Sequence, residues 1–305
     1  MGTGIIGSSW ALLFAMKGLK VVTYDADEAS LRRSIGNIKG MLSSLTRNGV
    51  LTSDSAGPIL SRISPAKDLG GISAAEYVQE SVTENLVVKI ETLRDIEKEV
   101  SETATIVSST SGLSISAMQE GLRHPERTLI IHPFNPPHLI PLVEIVPSEK
   151  TNDKTISLAR RFMKWLGKEP ILVKKQLPGF AANRIQAVIF REVLNLLNDD
   201  VVDIEDLEKV FTAGLGLRLA TMGQFTTYSL AAGKGGLKTY FERYGPHSSS
   251  ILGSMETWVE PPQSAKDKAV AGEKDLEALR MSYEETIRWR DARLIKVIRD
   301  LGYLG

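Results

Sequence analysis

The chain has 305 residues, of which 42% are hydrophobic and 24% charged, so it is long enough for two domains with buried cores. Lys plus Arg number 37 and Asp plus Glu also number 37, so no excess charge favours nucleic acid or a membrane surface. The sequence contains no cysteine, which excludes disulfides and thiolate metal sites, and we expect no bound metal. This balance favours a small molecule or another protein as the partner.

The sequence gives no indication of a membrane segment. No run of about 18 apolar residues occurs, and the first residues form a glycine loop where a signal peptide would have a basic and then an apolar region. We therefore predict a soluble, cytoplasmic protein.

Residues 2–7 read Gly-Thr-Gly-Ile-Ile-Gly, a G-x-G-x-x-G loop that runs into the helical pattern of residues 8–17. A strand over residues 20–24 follows and ends at Asp25, where an acid can accept hydrogen bonds from ribose hydroxyls. Such an acid favours NAD over NADP because it repels a 2′-phosphate. The residues expected to bind the cofactor here are Gly2, Gly4, Ile5, Ile6, Gly7 and Asp25.

The strand that should precede such a loop is missing, because Met1 comes directly before Gly2. A sheet without its central strand would expose two inner strand edges and leave the glycine loop unanchored. Two explanations follow from the sequence: either the chain is shorter than its functional form, or something else fills the gap.

The remaining pattern of residues 1–177 alternates between helices and strands. Residues 28–65 read as a helical hairpin, and strands are predicted at 77–82, 105–108, 129–131, 142–146 and 171–174. Together these segments predict a Rossmann-type doubly wound parallel sheet whose first strand is missing. From Pro178-Gly179 onward the periodicity is helical, which predicts an all-α C-terminal domain at 178–305.

The richest stretch for chemistry is residues 128–146. A buried strand ends at His132, and a second apolar strand carries the single acid Glu144. A carboxylate beside a histidine fixes its tautomer and stabilises the imidazolium, so the two form a candidate general acid/base pair. The alternative is structural, with His132 capping a strand and Glu144 solvated.

The full set of motifs resembles the 3-hydroxyacyl-CoA dehydrogenase superfamily, and most closely its lambda-crystallin / L-gulonate 3-dehydrogenase branch. The resemblance is carried by the following segments: GTGIIG at 2–7, Asp25, ESVTENLVVK at 80–89, SSTSGL at 108–113, HPFNPP at 132–137, LVEIV at 142–146, PGFAANRI at 178–185 and GLGLR at 214–218. These segments occur in the family's order over nearly the whole chain.

The resemblance implies a set of residue roles. His132 matches the catalytic base, Glu144 the acid that orients it, and Ser111 and Asn183 the groups that hold the reacting oxygen. Glu84 and Lys89 match positions near the nicotinamide ribose of NAD. The family usually dimerises through its helical domain, so the resemblance implies a homodimer whose residues 178–305 form a substrate-binding and dimerisation domain.

The expected activity is NAD-dependent oxidation of a 3-hydroxy group. The GLGLR segment, read as a glycine-rich turn, resembles the free-acid branches, so the expected substrate is a free 3-hydroxy acid such as L-gulonate, with Asn135 and Arg218 as candidate substrate contacts. Three alternatives stay open: a 3-hydroxyacyl-CoA; carnitine, whose quaternary ammonium group an aromatic box of Phe134, Tyr228 and Trp258 would bind; and a non-catalytic, crystallin-like structural protein.

Overall fold

The computed structural model describes residues 1–304, which divide into two compact units. The first unit comprises residues 1–184 together with the residues from Arg290 onward, and the second comprises Ile185–Trp289. In the part of the chain that is described, no helix is long and apolar enough to cross a bilayer.

All seven strands found in residues 1–304 belong to the first unit. Their bounds are β1 Val21–Thr23, β2 Ile63–Pro65, β3 Tyr77–Glu80, β4 Thr105–Ser108, β5 Thr128–Pro133, β6 Leu142–Val146 and β7 Glu169–Leu172. They form a two-stranded sheet, β1-β2, and a five-stranded sheet in the order β3-β4-β5-β6-β7. The break between β1 and β3 is the gap that the sequence predicted.

Six α-helices lie between the described strands or beside them, and three of them begin at a residue whose side chain caps the helix. Their bounds are α1 Ile5–Met16, α2 Glu28–Arg47, α3 Ala56–Leu60, α4 Leu86–Glu99, α5 Ile115–Met118 and α6 Asp153–Trp165. The side chains of Asp27, Asn85 and Asn152 accept hydrogen bonds from the free N–H groups of the first turns of α2, α4 and α6. These caps fix where each crossover helix starts.

The structure differs from the sequence-based predictions in two details. Residues 28–65 are not a helical hairpin throughout, because the segment ends in β2, which pairs in parallel with β1. The larger sheet is also mixed, since β6 runs antiparallel to β5. Three-residue strands such as β2 carry too little alternation to be read from sequence.

The core of the first unit is built on both faces of the larger sheet. One cluster joins Leu93 and Ile96 of α4 to Ile106 and Ile130 of the sheet, and another packs Trp10 and other α1 residues against β4, β5 and β6. A third cluster packs α1 against α2 and against Ile295 and Ile298 near the C-terminus. Both faces of β3, β4 and β5 are therefore covered, as expected for parallel strands.

The second unit is helical. The helices that include its residues are α7 Ala182–Asn198, α8 Ile204–Lys209, α9 Gly216–Thr221, α10 Gln224–Ala231, α11 Gly236–Ser254, α12 Gln263–Gly272 and α13 Tyr283–Asp300. A π-helical segment, Val210–Leu215, joins α8 to α9. The GLGLR segment is therefore helical, and its interpretation as a glycine-rich turn was wrong.

Candidate active site

Three parallel neighbours, β3, β4 and β5, bring their carboxyl ends to one edge of the larger sheet. Glu80 at the end of β3 pairs in register with Ser108 at the end of β4, and Ser108 pairs with Ile130 of β5, two residues before His132. Ligands of open α/β sheets bind at the carboxyl ends of strands. The residues that follow these three strands therefore form the candidate site.

The glycine loop has the geometry that a dinucleotide needs. Gly2 has φ +75°, and a Cβ on Gly7 would lie 1.9 Å from the carbonyl oxygen of Gly2, so the turn requires glycine at both places. A Cβ on Gly4 would meet nothing within 4 Å, which leaves open space beside the backbone at the start of α1. A phosphate can approach there and receive the free N–H groups of the first helical turn.

Asp25 lies beside the glycine loop, as the sequence predicted. Its carboxylate accepts hydrogen bonds from the backbone N–H of Thr3 at 2.6 Å and from the Thr3 hydroxyl at 2.9 Å. A third bond comes from the N–H of Asp27 at 3.0 Å. These bonds hold the acid at the end of β1, so the loop and the acid together fit NAD.

A buried ion cluster lies next to the loop at the end of β3. The Glu80 carboxylate is fully buried and accepts hydrogen bonds from the Lys89 ammonium at 2.8 Å, the Ser108 hydroxyl at 2.5 Å and the Val82 N–H at 2.6 Å. Lys89 is also buried and lies 3.5 Å from the second acid, Glu84. Every group around Glu80 is thus a donor, which is what a buried carboxylate requires.

Glu84 connects this ion cluster to the loop after β4. Its carboxylate accepts from the Thr110 hydroxyl at 2.5 Å, from the Ser111 N–H at 3.0 Å and from the Ser111 hydroxyl at 3.4 Å. The Asn183 amide donates to the Ser111 carbonyl at 3.1 Å. Four of the residues selected from the sequence, Glu84, Lys89, Ser111 and Asn183, are therefore linked by direct contacts.

His132 and Glu144 face each other across the antiparallel pair β5-β6. They are register partners, so their side chains lie on the same face of the sheet, and His132 Nδ1 lies 2.8 Å from Glu144 Oε2. The Glu144 side chain is fully buried and that of His132 is 7% exposed. Glu144 is therefore a buried partner of His132 and not a solvated acid.

The environment of Glu144 keeps it ionised. Burial alone would raise the pKa of this carboxyl group, but the hydrogen bond with His132, those from the N–H groups of Ala182 and Ala181, and the charge of His132 outweigh it. The pKa therefore lies below its ordinary value of 4.5. A carboxylate at this place makes Nδ1 the protonated nitrogen of neutral His132 and leaves Nε2 as the acceptor.

Residues 180–183 connect the histidine pair to the serine loop. The Phe180 ring lies 5.5 Å from the His132 ring, and the N–H groups of Ala181 and Ala182 donate to Glu144 Oε1 at 3.0 and 3.1 Å. The next residue, Asn183, contacts Ser111. Phe180 has φ 52°, a left-handed conformation that lets one short segment make all of these contacts.

The two predicted substrate contacts, Asn135 and Arg218, take no part in these contacts. Asn135 is exposed after the end of β5, and Arg218 is exposed on α9 in the second unit. Within the first unit, the Phe134 ring lies 5.6 Å from the His132 ring. Within the second, the Tyr228 and Tyr240 rings lie 4.5 Å apart in a tilted arrangement.

Three groups in this region were not predicted from the sequence: Glu80, Thr110 and the N–H groups of Ala181 and Ala182. Glu80 carried a usable signal, since an acid at the carboxyl end of a strand is close to the pattern that identified Asp25. The backbone N–H groups carried none, because any residue but proline supplies one.

The fold combines parallel strands joined by crossover helices with a glycine loop before the first helix. It also carries a histidine–carboxylate pair at the carboxyl edge of the sheet. These features together are typical of a dinucleotide-dependent oxidoreductase. Models of two domains of one family match the chain: "3-hydroxyacyl-CoA dehydrogenase, NAD binding domain" over residues 1–176 and "3-hydroxyacyl-CoA dehydrogenase, C-terminal domain" over residues 179–270. The chain belongs to the 3-hydroxyacyl-CoA dehydrogenase family, so it is an NAD-dependent oxidoreductase that acts on CH-OH groups.

Individual relatives support the same assignment. The chain is 36% identical to an L-carnitine dehydrogenase of Nocardiopsis dassonvillei over 99% of its own length and 90% of that protein's. It is 35% identical to the lambda-crystallin homolog of Mus musculus, over 84% and 80% of the two chains. Among solved structures, a 5-formyl-3-hydroxy-2-methylpyridine 4-carboxylic acid 5-dehydrogenase, an NAD+-dependent dismutase, matches with TM-score 0.82 and 27% identity over 99% and 96% of the chains.

Proposed function

We propose that this protein oxidises the 3-hydroxyl group of a free hydroxy acid, with NAD as the hydride acceptor and His132 as the general base. The observation that carries the proposal is the 2.8 Å contact between His132 Nδ1 and the buried Glu144 carboxylate. A structural histidine needs no buried carboxylate partner, whereas a base that becomes charged during the reaction gains stability from one.

The chemistry divides between the cofactor and the chain. Bound at the glycine loop and Asp25, NAD would supply the acceptor for the hydride from the carbon that bears the hydroxyl group. His132 Nε2 accepts the hydroxyl proton, because the hydrogen bond to Glu144 keeps the other ring nitrogen protonated. Glu144 then stabilises the imidazolium through the same hydrogen bond.

Ser111 and Asn183 are proposed to hold the reacting oxygen. The Ser111 hydroxyl is exposed and the Asn183 amide is held beside it by its bond to the Ser111 carbonyl. Donors fixed at the place where negative charge develops stabilise the transition state without reorganising. Residues 1–177 are proposed to bind the cofactor, through the glycine loop, Asp25, Glu84 and Lys89.

The proposed substrate is a free 3-hydroxy acid, with L-carnitine as the first candidate. Two of the full-length relatives, from Nocardiopsis dassonvillei and Oceanobacillus iheyensis, carry the name L-carnitine dehydrogenase. The L-gulonate expected from the sequence gains no support from them and ranks second, and a 3-hydroxyacyl-CoA ranks third. Asn135 and Arg218 remain candidate contacts for the substrate.

The test is a panel of L-carnitine, L-gulonate and 3-hydroxybutyryl-CoA, each with NAD, followed by NADH absorbance. We expect turnover of a free acid. We also expect His132→Ala to lower kcat by about 10²–10⁴-fold, which is the usual contribution of a positioned acid/base group. The matched control is His124→Ala, which removes a half-buried histidine after α5. Full turnover by His132→Ala would exclude this mechanism.

The oligomeric state and the location are further parts of the proposal. Exposed apolar side chains are abundant in the second unit; they include Ile185, Phe190, Leu217, Phe225, Leu230, Phe241 and Leu252. Such surfaces mark protein interaction sites, so residues 178–305 are proposed to form a homodimer. Light scattering tests the homodimer, and a monomer at micromolar concentration would contradict it.

The cytoplasmic location remains a prediction from the sequence.

A further inference from the structure

A buried lysine lies beside the loop that joins the two strands of the histidine pair. This connecting loop, residues 134–141, runs from β5, which contains His132, to β6, which contains Glu144. Lys168 is 4% exposed and directly precedes β7, the strand on the other side of β6. Because the connecting loop is the covalent link between β5 and β6, its conformation bears directly on the position of His132.

The connecting loop is short of hydrogen-bond donors of its own. Three of its residues are proline, which has no N–H group. The Pro136 carbonyl is satisfied within the loop, since it accepts from the N–H groups of Leu139 and Ile140 at 3.0 Å each. The carbonyls of Pro137, Ile140 and Pro141 accept from residues outside the loop.

Residues 168 and 169 supply those donors. The Lys168 ammonium donates to the carbonyl of Pro137 and, at 2.7 Å, to that of Ile140. The N–H of Glu169 donates to the Pro141 carbonyl at 2.9 Å. A neutral Lys168 amine would keep two N–H groups, so both of its bonds persist in either protonation state. The start of β7 therefore holds the second half of the connecting loop.

The connecting loop is also bonded to α1. The N–H of His138 donates to the Ser9 hydroxyl at 2.9 Å, and Nδ1 of the same histidine lies 2.8 Å from that hydroxyl. Both side chains are buried. The Lys168 ammonium lies 5.7 Å from the centre of the Trp10 ring, which is the next residue of α1. The loop, α1 and β7 are thus held together by buried polar contacts.

The arrangement buries a cation that has no acid beside it. Within residues 1–304, the Lys168 ammonium pairs with carbonyl oxygens and the Trp10 ring and not with a carboxylate. Burial, and then the charge of Lys17, lower its pKa from 10.5 to about 7. An apolar side chain would fill the same space without burying a charge, but it would leave the Pro137 carbonyl without this donor. Lys168 is therefore suited to holding the loop.

We propose that Lys168 and Ser9 are positioning residues, which hold the connecting loop so that the His132 ring keeps its place beside Phe134 and α1. This inference rests on the proposed function, in which His132 is the base. Pro137 is close in sequence to Phe134, whose ring lies 5.6 Å from the His132 ring. Loss of the Lys168 bonds frees the loop and lets both rings shift. A base that is misplaced by about 1 Å can slow turnover about 10²-fold.

The first test follows the His132 ring and needs no substrate. The chain has four histidines, so their imidazole C–H signals can be resolved by NMR, and His132→Ala assigns the signal of His132. We expect Lys168→Met to shift this signal, because the neighbouring Phe134 ring moves relative to the imidazole.

Arg127 provides the matched control. It is also a buried cation directly before a strand, and its guanidinium donates to the carbonyls of Ser101 and Ala104. These groups precede β4 and β5, so they lie at the end of the larger sheet opposite the candidate site. Arg127→Met should lower the melting temperature and leave both the His132 signal and kcat unchanged.

Steady-state kinetics give the second readout. With the substrate of the panel that the parent chain oxidises, Lys168→Met should lower kcat about 10–10²-fold, while the NAD affinity measured by calorimetry stays within about twofold. A loss of stability alone would change the melting temperature without this effect on kcat. If the parent oxidises no substrate of the panel, the proposed function fails, whereas the NMR comparison still tests what holds the His132 ring.

Ser9→Ala is the second variant, and it decides the outcome if Lys168→Met does not fold. It removes only the hydroxyl that bonds His138 to α1, and it should shift the His132 signal and lower kcat in the same direction. An unchanged His132 signal and kcat in the folded variant would overturn the proposal. Equal changes in Arg127→Met would also overturn it, because they would show a general response to the loss of a buried cation.

Discussion

Glu144 is the residue on which the proposed mechanism depends most directly. Replacing Glu144 with Gln keeps the size of the side chain and an acceptor for the N–H groups of Ala181 and Ala182. The amide group then donates to His132 Nδ1, which places the ring proton on Nε2, where it blocks proton transfer from the substrate.

We expect Glu144→Gln to lower kcat by about 10²–10⁴-fold with little change in KM or in NAD affinity. Steady-state kinetics and calorimetry measure the two effects separately. A variant whose loss appeared only in KM would show that Glu144 acts in binding and not on the base.

Glu80 is the second residue with a specific consequence. Its buried carboxylate holds the Lys89 ammonium at 2.8 Å, and Lys89 in turn lies beside Glu84. Glu80→Gln removes one charge of this cluster, so the position of Lys89 is no longer fixed by two acids. We expect NAD affinity to fall about tenfold or more, which corresponds to about 1.4 kcal/mol.

A matched control for Glu80 is available in the same unit. Glu97 is also a nearly buried acid that lies 3.8 Å from a buried cation, Arg127, but it is on α4 away from the candidate site. Glu97→Gln should destabilise the fold and leave NAD affinity unchanged. If calorimetry gave the same NAD affinity for both variants, a specific role of Glu80 would be excluded.

At the scale of elements, two glycines of the glycine loop have different roles, one in the stability of the fold and the other in NAD binding. A Cβ on Gly7 would collide with the Gly2 carbonyl at 1.9 Å, whereas a Cβ on Gly4 would enter open space. We expect Gly7→Ala to lower the melting temperature because the loop must shift. Gly4→Ala should melt like the parent chain yet bind NAD more weakly, because its methyl group occupies the path of the pyrophosphate. A Gly4→Ala variant with unchanged NAD affinity would contradict this placement of the cofactor.

Some elements of the fold can be predicted from the sequence, and others cannot. The glycine loop, β4 and β6 were predictable because each has a strong local pattern, and Glu144 was found because it is the single acid in an apolar strand. The strand β2 was missed because its three residues are ordered by pairing with β1, a contact distant in sequence. The GLGLR segment was misread for a related reason: its two glycines suggest a turn, but its residues lie at the end of the π-helical segment and the start of α9.

At the scale of the whole molecule, one buried histidine links stability to pH. The His138 side chain is bonded to the Ser9 hydroxyl at 2.8 Å. Burial first, and then the charges of Lys168 and Arg290, lower its pKa to about 3 from an ordinary value of 6.5. Between these two values the unfolded chain binds a proton at His138 that the folded chain does not, so stability falls as the pH drops below 6.5.

His138→Gln should remove this part of the acid sensitivity. Between pH 7 and pH 5 the free energy of unfolding of the parent chain should fall by about 2 kcal/mol more than that of the variant. Urea unfolding at the two pH values measures the difference, with His124→Gln as the control for an accessible histidine. Parallel pH dependences of the parent and His138→Gln would show that His138 titrates normally in the folded state.

The packing of the C-terminal part of α13 determines when the first unit can finish folding during synthesis. Ile295 and Ile298 are buried in the core cluster that contains α1 and α2, and Arg299 donates to the carbonyl of Asn48, 251 positions earlier. The first unit therefore cannot complete its packing until residues 185–289 have been translated. At roughly 5–20 residues per second, the ribosome needs about 5–20 s for that stretch. During this interval the apolar surface of α1 and α2 that later covers Ile295 and Ile298 stays exposed on the nascent chain, where a chaperone can bind it.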